Sequence, residues 1–196
     1  MQDLFLPNLF RMRHIQRWNL MNNTQSENLS EHSFECALLV HHLAVIGNIC
    51  YARNYAPEKL ACYALYHDAA EILTGDLPTP IKKFDHEILA SYRKIETKAA
   101  QKIVEYLPEK MRPQYDKYFN GETLSKAERE LLAAADKLCA FIKCIMEINA
   151  GNREFTAAYN TNKKQIEAIE LPEVQYFLAN NIQAFSYSLD KLQGYL

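Results

Sequence analysis

The residues of this 196-residue chain with the most to say about chemistry are two histidines and two aspartates. His67 and Asp68 stand side by side in the apolar run from Leu60 to Leu73. Charged groups in such a setting are seldom buried without a partner or a metal. Glu71 follows, and a helix through this run sets His67, Asp68 and Glu71 within one arc of about 100°. Taken alone, the pair is weak evidence for a metal and is better explained as a surface patch with a helix-internal hydrogen bond. Two further residues change the balance. His32 lies in Ser30-Glu31-His32-Ser33-Phe34, and Asp136 lies mid-helix in the small, apolar stretch from Leu131 to Ala140. Aspartate is a poor helix former at such a place, so Asp136 is there for an ion pair or for a ligand. Together the four supply two imidazoles and two carboxylates, a set that suits a six-coordinate divalent ion with positions left for water and substrate. Mn²⁺, Co²⁺, Fe²⁺ and Zn²⁺ are all chemically admissible.

These residues must be placed by helices. Residues 8–16 read as a short helix leading to Arg17-Trp18, and 19–29 as a polar, Asn-rich loop. Ser30 is expected to cap a long helix through Cys50 that is apolar on several faces and therefore central. Pro57 suits the first turn of a helix that carries His67 and Asp68 and ends at Gly75. The Asp76-Leu77-Pro78-Thr79-Pro80 stretch is predicted to be a stiff, non-helical loop. Helices are expected over 86–106 and 109–119. Ser125-Lys126-Ala127-Glu128 is a capping box opening a helix to about Ala150, closed by Gly151. Residues 153–168 and a final helix from Pro172 to about Leu192 complete an all-α reading, with no strand pattern, repeat or dividing linker.

The bulk numbers agree. Hydrophobic residues make up 48% and charged residues 23%, which is globular, and only 5 glycines occur, which suits helices with few tight turns. A net charge of −2 provides no electrostatic basis for nucleic-acid or membrane binding. The five cysteines are odd in number and contain no C-x-x-C, so they read as reduced core residues of a cytoplasmic protein. No targeting segment and no run long and apolar enough to span a membrane is expected.

The order His32, His67-Asp68, Asp136 resembles the H…HD…D signature of HD-domain metal-dependent phosphohydrolases. Three longer strings are similar to the bacterial 5′-deoxynucleotidases of that superfamily: Glu31-His32-Ser33, the stretch from Tyr66 to Pro80, and Ala135-Asp136-Lys137-Leu138-Cys139-Ala140. Arg17-Trp18 also falls where that family keeps an Arg-Trp pair. The resemblance implies one HD-type helical bundle of about 8–10 helices over 1–196. It implies hydrolysis of 2′-deoxyribonucleoside 5′-monophosphates to deoxynucleoside and phosphate. His32, His67, Asp68 and Asp136 are then the metal ligands, for one divalent ion per chain, with Co²⁺ or Mn²⁺ ahead of Zn²⁺, Fe²⁺ or Cu²⁺.

Under that resemblance the catalytic residues are Arg17, Asp68 and Glu71. Arg17 offers a planar fork to phosphate oxygens, the alternative being a solvated surface arginine. Glu71 positions the attacking water or shuttles its proton, or else supports a ligand histidine. Trp18, the only tryptophan, crowds the 2′ position of the sugar or packs in the core. Asp76 accepts the 3′-hydroxyl, and Leu77, Pro78 and Thr79 complete the sugar contacts, with Asp68 and Asp136 also meeting substrate. Two-metal relatives carry extra histidines between the doublet and the last aspartate. Only His86 lies there, and His41 and His42 are about 14–15 Å along the helix from His32. Relatives of this branch imply a homodimer, with the aromatic C-terminal segment (Tyr176, Phe177, Phe185, Tyr187) as a face for it. Two other readings stand beside this one: an HD phosphohydrolase acting on a deoxynucleoside triphosphate, a cyclic nucleotide or an alarmone, and a non-catalytic helical regulatory module.

Overall fold

A computed structural model describes residues 3–82, 84–121 and 123–195. The helices are α1 (Phe5–Leu9), α2 (Leu29–Cys50), α3 (Pro57–Tyr66), α4 (Glu71–Thr74), α5 (Thr79–Lys82), α6 (His86–Glu105), α7 (Arg112–Asn120), α8 (Lys126–Asn149), α9 (Thr156–Glu167), α10 (Pro172–Asn180) and α11 (Leu189–Leu192). No strand occurs among the described residues; one isolated bridge pairs Gln16 with Asn28.

The long α2 and α8 form the centre, with α3 and α9 packed along them. Their buried faces, including Val40, Leu43, Leu60, Leu131 and Leu138, make the main core. A second cluster gathers Phe5, Met12, Leu29, Ala69, Ile103 and Leu107 where the N-terminal segment meets α6. His32 sits on α2 between Leu29 of the second cluster and Cys36 of the first, so its imidazole lies at the seam of the two.

Several expectations need correction. Asn28, not Ser30, caps α2. Its side chain accepts from the amides of Ser30 and Glu31 at 3.0 and 3.1 Å, and Glu31 returns a bond to the Asn28 amide at 2.9 Å. The helix from Pro57 does not run on to Gly75. It stops at Tyr66, and residues 67–70 wind through tight i→i+3 bonds, Ala69 N to Tyr66 O and Glu71 N to Asp68 O, before α4 begins. The cause is local: His67 Nδ1 takes the Ala64 carbonyl at 2.6 Å, the acceptor that the Asp68 amide would use in a continued α-helix. In this tighter winding Asp68 and Glu71, three residues apart, lie one above the other.

The proline loop is extended only to Pro78; Pro80 falls in the first turn of α5, where its missing N–H costs nothing. The last predicted helix is three pieces, α10, a 3₁₀ turn over Ile182–Ser186 and α11, broken at Asn180-Asn181, whose short amides compete for the backbone. The helix α2 is long and apolar enough to cross a membrane by length and composition. In this fold it is a core helix, packed against α3 and α8. It is not covered all round: Phe34, Leu38 and Ile49 are 58%, 58% and 78% exposed. All five cysteines are free; Cys36, Cys139 and Cys144 are buried as expected, whereas Cys62 is half-buried and Cys50 exposed.

Candidate metal centre

The four expected ligands converge. One donor atom from each of His32, His67, Asp68 and Asp136 lies within 4.8 Å of the others. His32 comes from the first turn of α2, the His67-Asp68 pair from the break after α3, and Asp136 from the middle of α8. His32 Nε2 stands 3.2 Å from Asp136 Oδ1 and 3.5 Å from Asp68 Oδ2, and His67 Nε2 stands 3.2 Å from that same Asp68 oxygen. The bond from His67 Nδ1 to the Ala64 carbonyl fixes the tautomer and turns Nε2 toward the cluster.

The donors fit a divalent cation. His32 Nε2 and His67 Nε2 are buried and make no well-formed hydrogen bond among the described residues, though carboxylate oxygens crowd them. Burial works against a charged imidazole at both histidines. Asp136 and Asp68 outweigh it at His32 and Asp68 outweighs it at His67, so each imidazole is held up at about 10. Burial would likewise raise Asp68, yet His67 and His32 hold it well below the usual carboxylate range; at Asp136 burial also opposes the charge, and His32 and His67 lower its pKa. Two carboxylates set against two buried imidazoles form a site that favours about two positive charges, which one divalent ion would supply.

Arg17 flanks the quartet. Its Nε donates to Glu27 Oε1 at 2.8 Å and its Nη1 to Asp68 Oδ2 at 3.4 Å. The Arg17 amide donates to the Glu27 carbonyl at 2.9 Å, which fixes the backbone as well. Glu27 Oε1 also lies 3.7 Å from His32 Nδ1. Sequence reasoning missed Glu27, which stands in a polar loop and looks solvated until the chain folds.

Above the quartet opens a cavity of about 620 Å³, in the range of small-molecule sites. Arg17, Trp18, Asp68, Glu71 and Asp136 line it, as do Asp76, Leu77 and Pro78 from the extended loop. Every residue expected to meet substrate is thus at this cavity except Thr79, whose side chain lies outside the described set. Glu71 is 3% exposed, at the cavity wall beside Asp68. Trp18 adopts φ +57°, a left-handed conformation disfavoured for a bulky side chain, and its ring packs 5.4 Å from that of Phe155. One wall was not anticipated: Ala157, Ala158, Thr161, Asn162 and Gln165, on one face of α9.

Residues 4–185 match the YfbR-like family, described as 5′-deoxynucleotidase YfbR-like. The chain is 42% identical over 191 residues to 5′-deoxynucleotidase ECA3034 of Pectobacterium atrosepticum, covering 97% of this chain and 96% of that one. It is 43% identical over 188 residues to a 5′-deoxynucleotidase of Erwinia tasmaniensis, covering 96% and 95%. Among solved structures, an HD-domain phosphohydrolase from Listeria innocua superposes with a TM-score of 0.81 at 22% identity, over 96% of this chain and 91% of that one. The cyanophage S-2L HD phosphohydrolase DatZ, solved with dA and one catalytic Zn²⁺ ion, superposes with a TM-score of 0.61 at 20% identity, over 90% and 95%. With an HD-type helical fold and an H…HD…D quartet in place, the chain belongs to the YfbR-like 5′-deoxynucleotidase family of metal-dependent hydrolases.

Proposed function

We infer that this chain hydrolyses 2′-deoxyribonucleoside 5′-monophosphates to deoxynucleoside and phosphate, acting as one HD-type domain over residues 1–196. The observation that carries the reading is the quartet opening into a nucleotide-sized cavity, with Arg17 and Asp68 at its floor and Trp18 at its wall. One divalent ion per chain, held by His32, His67, Asp68 and Asp136, supplies Lewis acidity toward water and phosphate when bound; Co²⁺, Mn²⁺ and Zn²⁺ are the ions to compare.

The chain's own residues do the rest. Arg17, oriented by Glu27, presents its guanidinium to the phosphate and to charge that builds as the P–O5′ bond breaks. Glu71, stacked on Asp68 by the tight winding, orients the attacking water, takes its proton as the new P–O bond forms, and returns that proton to the departing 5′-oxygen. Asp68 and Asp136 border both the metal and the substrate phosphate. Asp76 accepts the 3′-hydroxyl, and Leu77, Pro78 and Thr79 close the sugar side. Trp18 occupies the space a 2′-hydroxyl needs. An apolar wall alone rejects an added hydroxyl by only ~10²-fold, so a rigid indole in contact is required for more.

Two further proposals concern the setting. The exposed stripe of Phe34, Leu38 and Ile49 on α2, together with Tyr176 and Phe185 near the C-terminus, supports a homodimer; Phe177, expected at that face, is instead buried in the main core. Unpaired buried cysteines suit the reducing cytoplasm. The test of function is phosphate release from dAMP, AMP and dATP by metal-loaded protein, with Asp68→Ala as control. Release from dAMP ahead of AMP and dATP is expected; no release by the loaded wild type would overturn the enzyme reading.

A further inference from the structure

A second polar cluster lies outside the metal centre, on the same helix. Glu147 is 11 residues beyond Asp136 on α8, about 16 Å along the axis, and is 1% exposed. A buried carboxylate is rare unless paired, and this one accepts from five donors. The Thr24 amide and hydroxyl reach Oε2 at 2.9 and 2.6 Å, and Asn152 Nδ2 reaches it at 2.8 Å. The Gln25 amide and Lys143 Nζ reach Oε1 at 3.2 and 2.5 Å. Lys143 also donates to the Gln25 carbonyl.

Both segments that Glu147 grips lead to Trp18. On one side is the 19–25 loop, where Asn23 Nδ2 donates to the Trp18 carbonyl at 3.1 Å and to the Met21 carbonyl at 3.0 Å. On the other is the turn after α8. There Asn152 donates to the Asn22 carbonyl at 2.7 Å, Glu154 accepts from the Asn22 amide at 3.1 Å, and Phe155 packs on the indole. Lys143 Nζ lies 5.8 Å over the Phe155 ring and closes the loop of contacts. The indole has no anchor of its own: Nε1 is buried with no hydrogen-bond partner among the described residues. Its backbone holds a left-handed conformation that persists only when surroundings over-determine it.

We propose that Glu147 is a positioning residue for the reaction: it clamps the 19–25 loop to the 152–155 turn, holds Trp18 left-handed against Phe155, and so sets discrimination between deoxyribose and ribose. The inference rests on Trp18 walling the sugar, as proposed above. Glu147 itself touches no reacting atom.

The test compares kcat and KM for dAMP and AMP in wild type, Glu147→Gln, Thr24→Val, Trp18→Phe and the Trp18→Phe/Glu147→Gln double variant, with emission from the sole tryptophan and circular dichroism. Glu147→Gln is expected to lower the dAMP:AMP ratio of kcat/KM about tenfold or more, chiefly by raising kcat/KM for AMP, and to red-shift Trp18 emission. Thr24→Val, which removes one of the five donors, moves both readouts the same way by less. In the Trp18→Phe background Glu147→Gln leaves the ratio where Trp18→Phe alone puts it. Wild-type ratio and emission in Thr24→Val and in folded Glu147→Gln would overturn the proposal. So would an equal loss of ratio from Glu147→Gln with and without Trp18. An unchanged ratio in Trp18→Phe itself would instead remove the sugar-wall reading, and the emission shift would still decide whether Glu147 holds the indole.

Discussion

Glu27 and Arg17 meet through a 2.8 Å bond from guanidinium Nε to carboxylate Oε1, with both side chains mostly buried. The same oxygen lies 3.7 Å from Nδ1 of His32, a proposed metal ligand. One carboxylate therefore orients the guanidinium proposed to meet phosphate and borders an imidazole proposed to meet the metal. Partners of this kind affect affinity or activity about 10–100-fold when removed. Glu27→Gln, which keeps the shape and loses the charge, is expected to lower kcat/KM for dAMP by about that factor with an unchanged circular dichroism spectrum. Kinetics equal to wild type would mean that the backbone and Asp68 hold Arg17 without the Glu27 charge.

Arg17→Lys separates charge from geometry. Lysine keeps the positive charge but cannot donate to Glu27 and to phosphate from one rigid plane. A fall of roughly 10²-fold in kcat is expected, the scale seen when one preorganised donor to a developing charge is lost. A loss confined to KM would assign Arg17 to ground-state binding instead.

Much of the site was legible because its residues are costly where they stand. An aspartate in the small, apolar stretch from Leu131 to Ala140 and a His-Asp doublet in an apolar run each demand a reason, and the proposed cation is one that serves both. Glu27 carried no such mark, since a glutamate in a polar loop costs nothing until the loop folds. The break after Tyr66 depends on one imidazole capturing one carbonyl, which no periodicity records. The start of α2 was readable in principle: Asn28 and Glu31 have capping-box spacing, and Ser30 drew attention from it. The left-handed Trp18 was not readable, because local preference runs against it and only the Glu147 cluster explains it.

Asp76 is half-buried at the cavity beside Leu77 and Pro78. In its proposed role as acceptor for the 3′-hydroxyl, it would lose one substrate hydrogen bond in Asp76→Ala. Bonds to charged groups contribute about 1.5–3 kcal/mol, so kcat/KM for dAMP is expected to fall roughly 10–150-fold. A 2′,3′-dideoxy substrate, which lacks the hydroxyl, should be far less sensitive to the substitution. Equal sensitivity of both substrates would place Asp76 elsewhere in the mechanism.

Metal removal is read best through stability. Four donor atoms within 4.8 Å of one another, the proposed ligands, come together in the folded state only. At a free ion concentration 100 times Kd the folded state gains about 2.7 kcal/mol. For a chain of 196 residues this corresponds to a rise in Tm of about 5–10 °C over protein stripped by chelator. Asp136→Ala should lose both the shift and turnover, while a retained shift would place the ion on other ligands.

The clamp around Glu147 has its own pH signature. Burial would raise this carboxyl, but hydrogen bonds from Lys143, Thr24 and Asn152 hold it well below the usual carboxylate range. A folded-state pKa below the unfolded value of about 4.3 contributes stability that is fully present above that pH and is lost as pH falls further. Wild type should therefore lose Tm steeply between about pH 5 and pH 3. Glu147→Gln, less stable at pH 7, should show a shallower slope, so the two curves draw together in acid. Thermal melts at half-unit intervals of pH measure this directly, and parallel curves would show that Glu147 is not the group whose protonation releases the 19–25 loop.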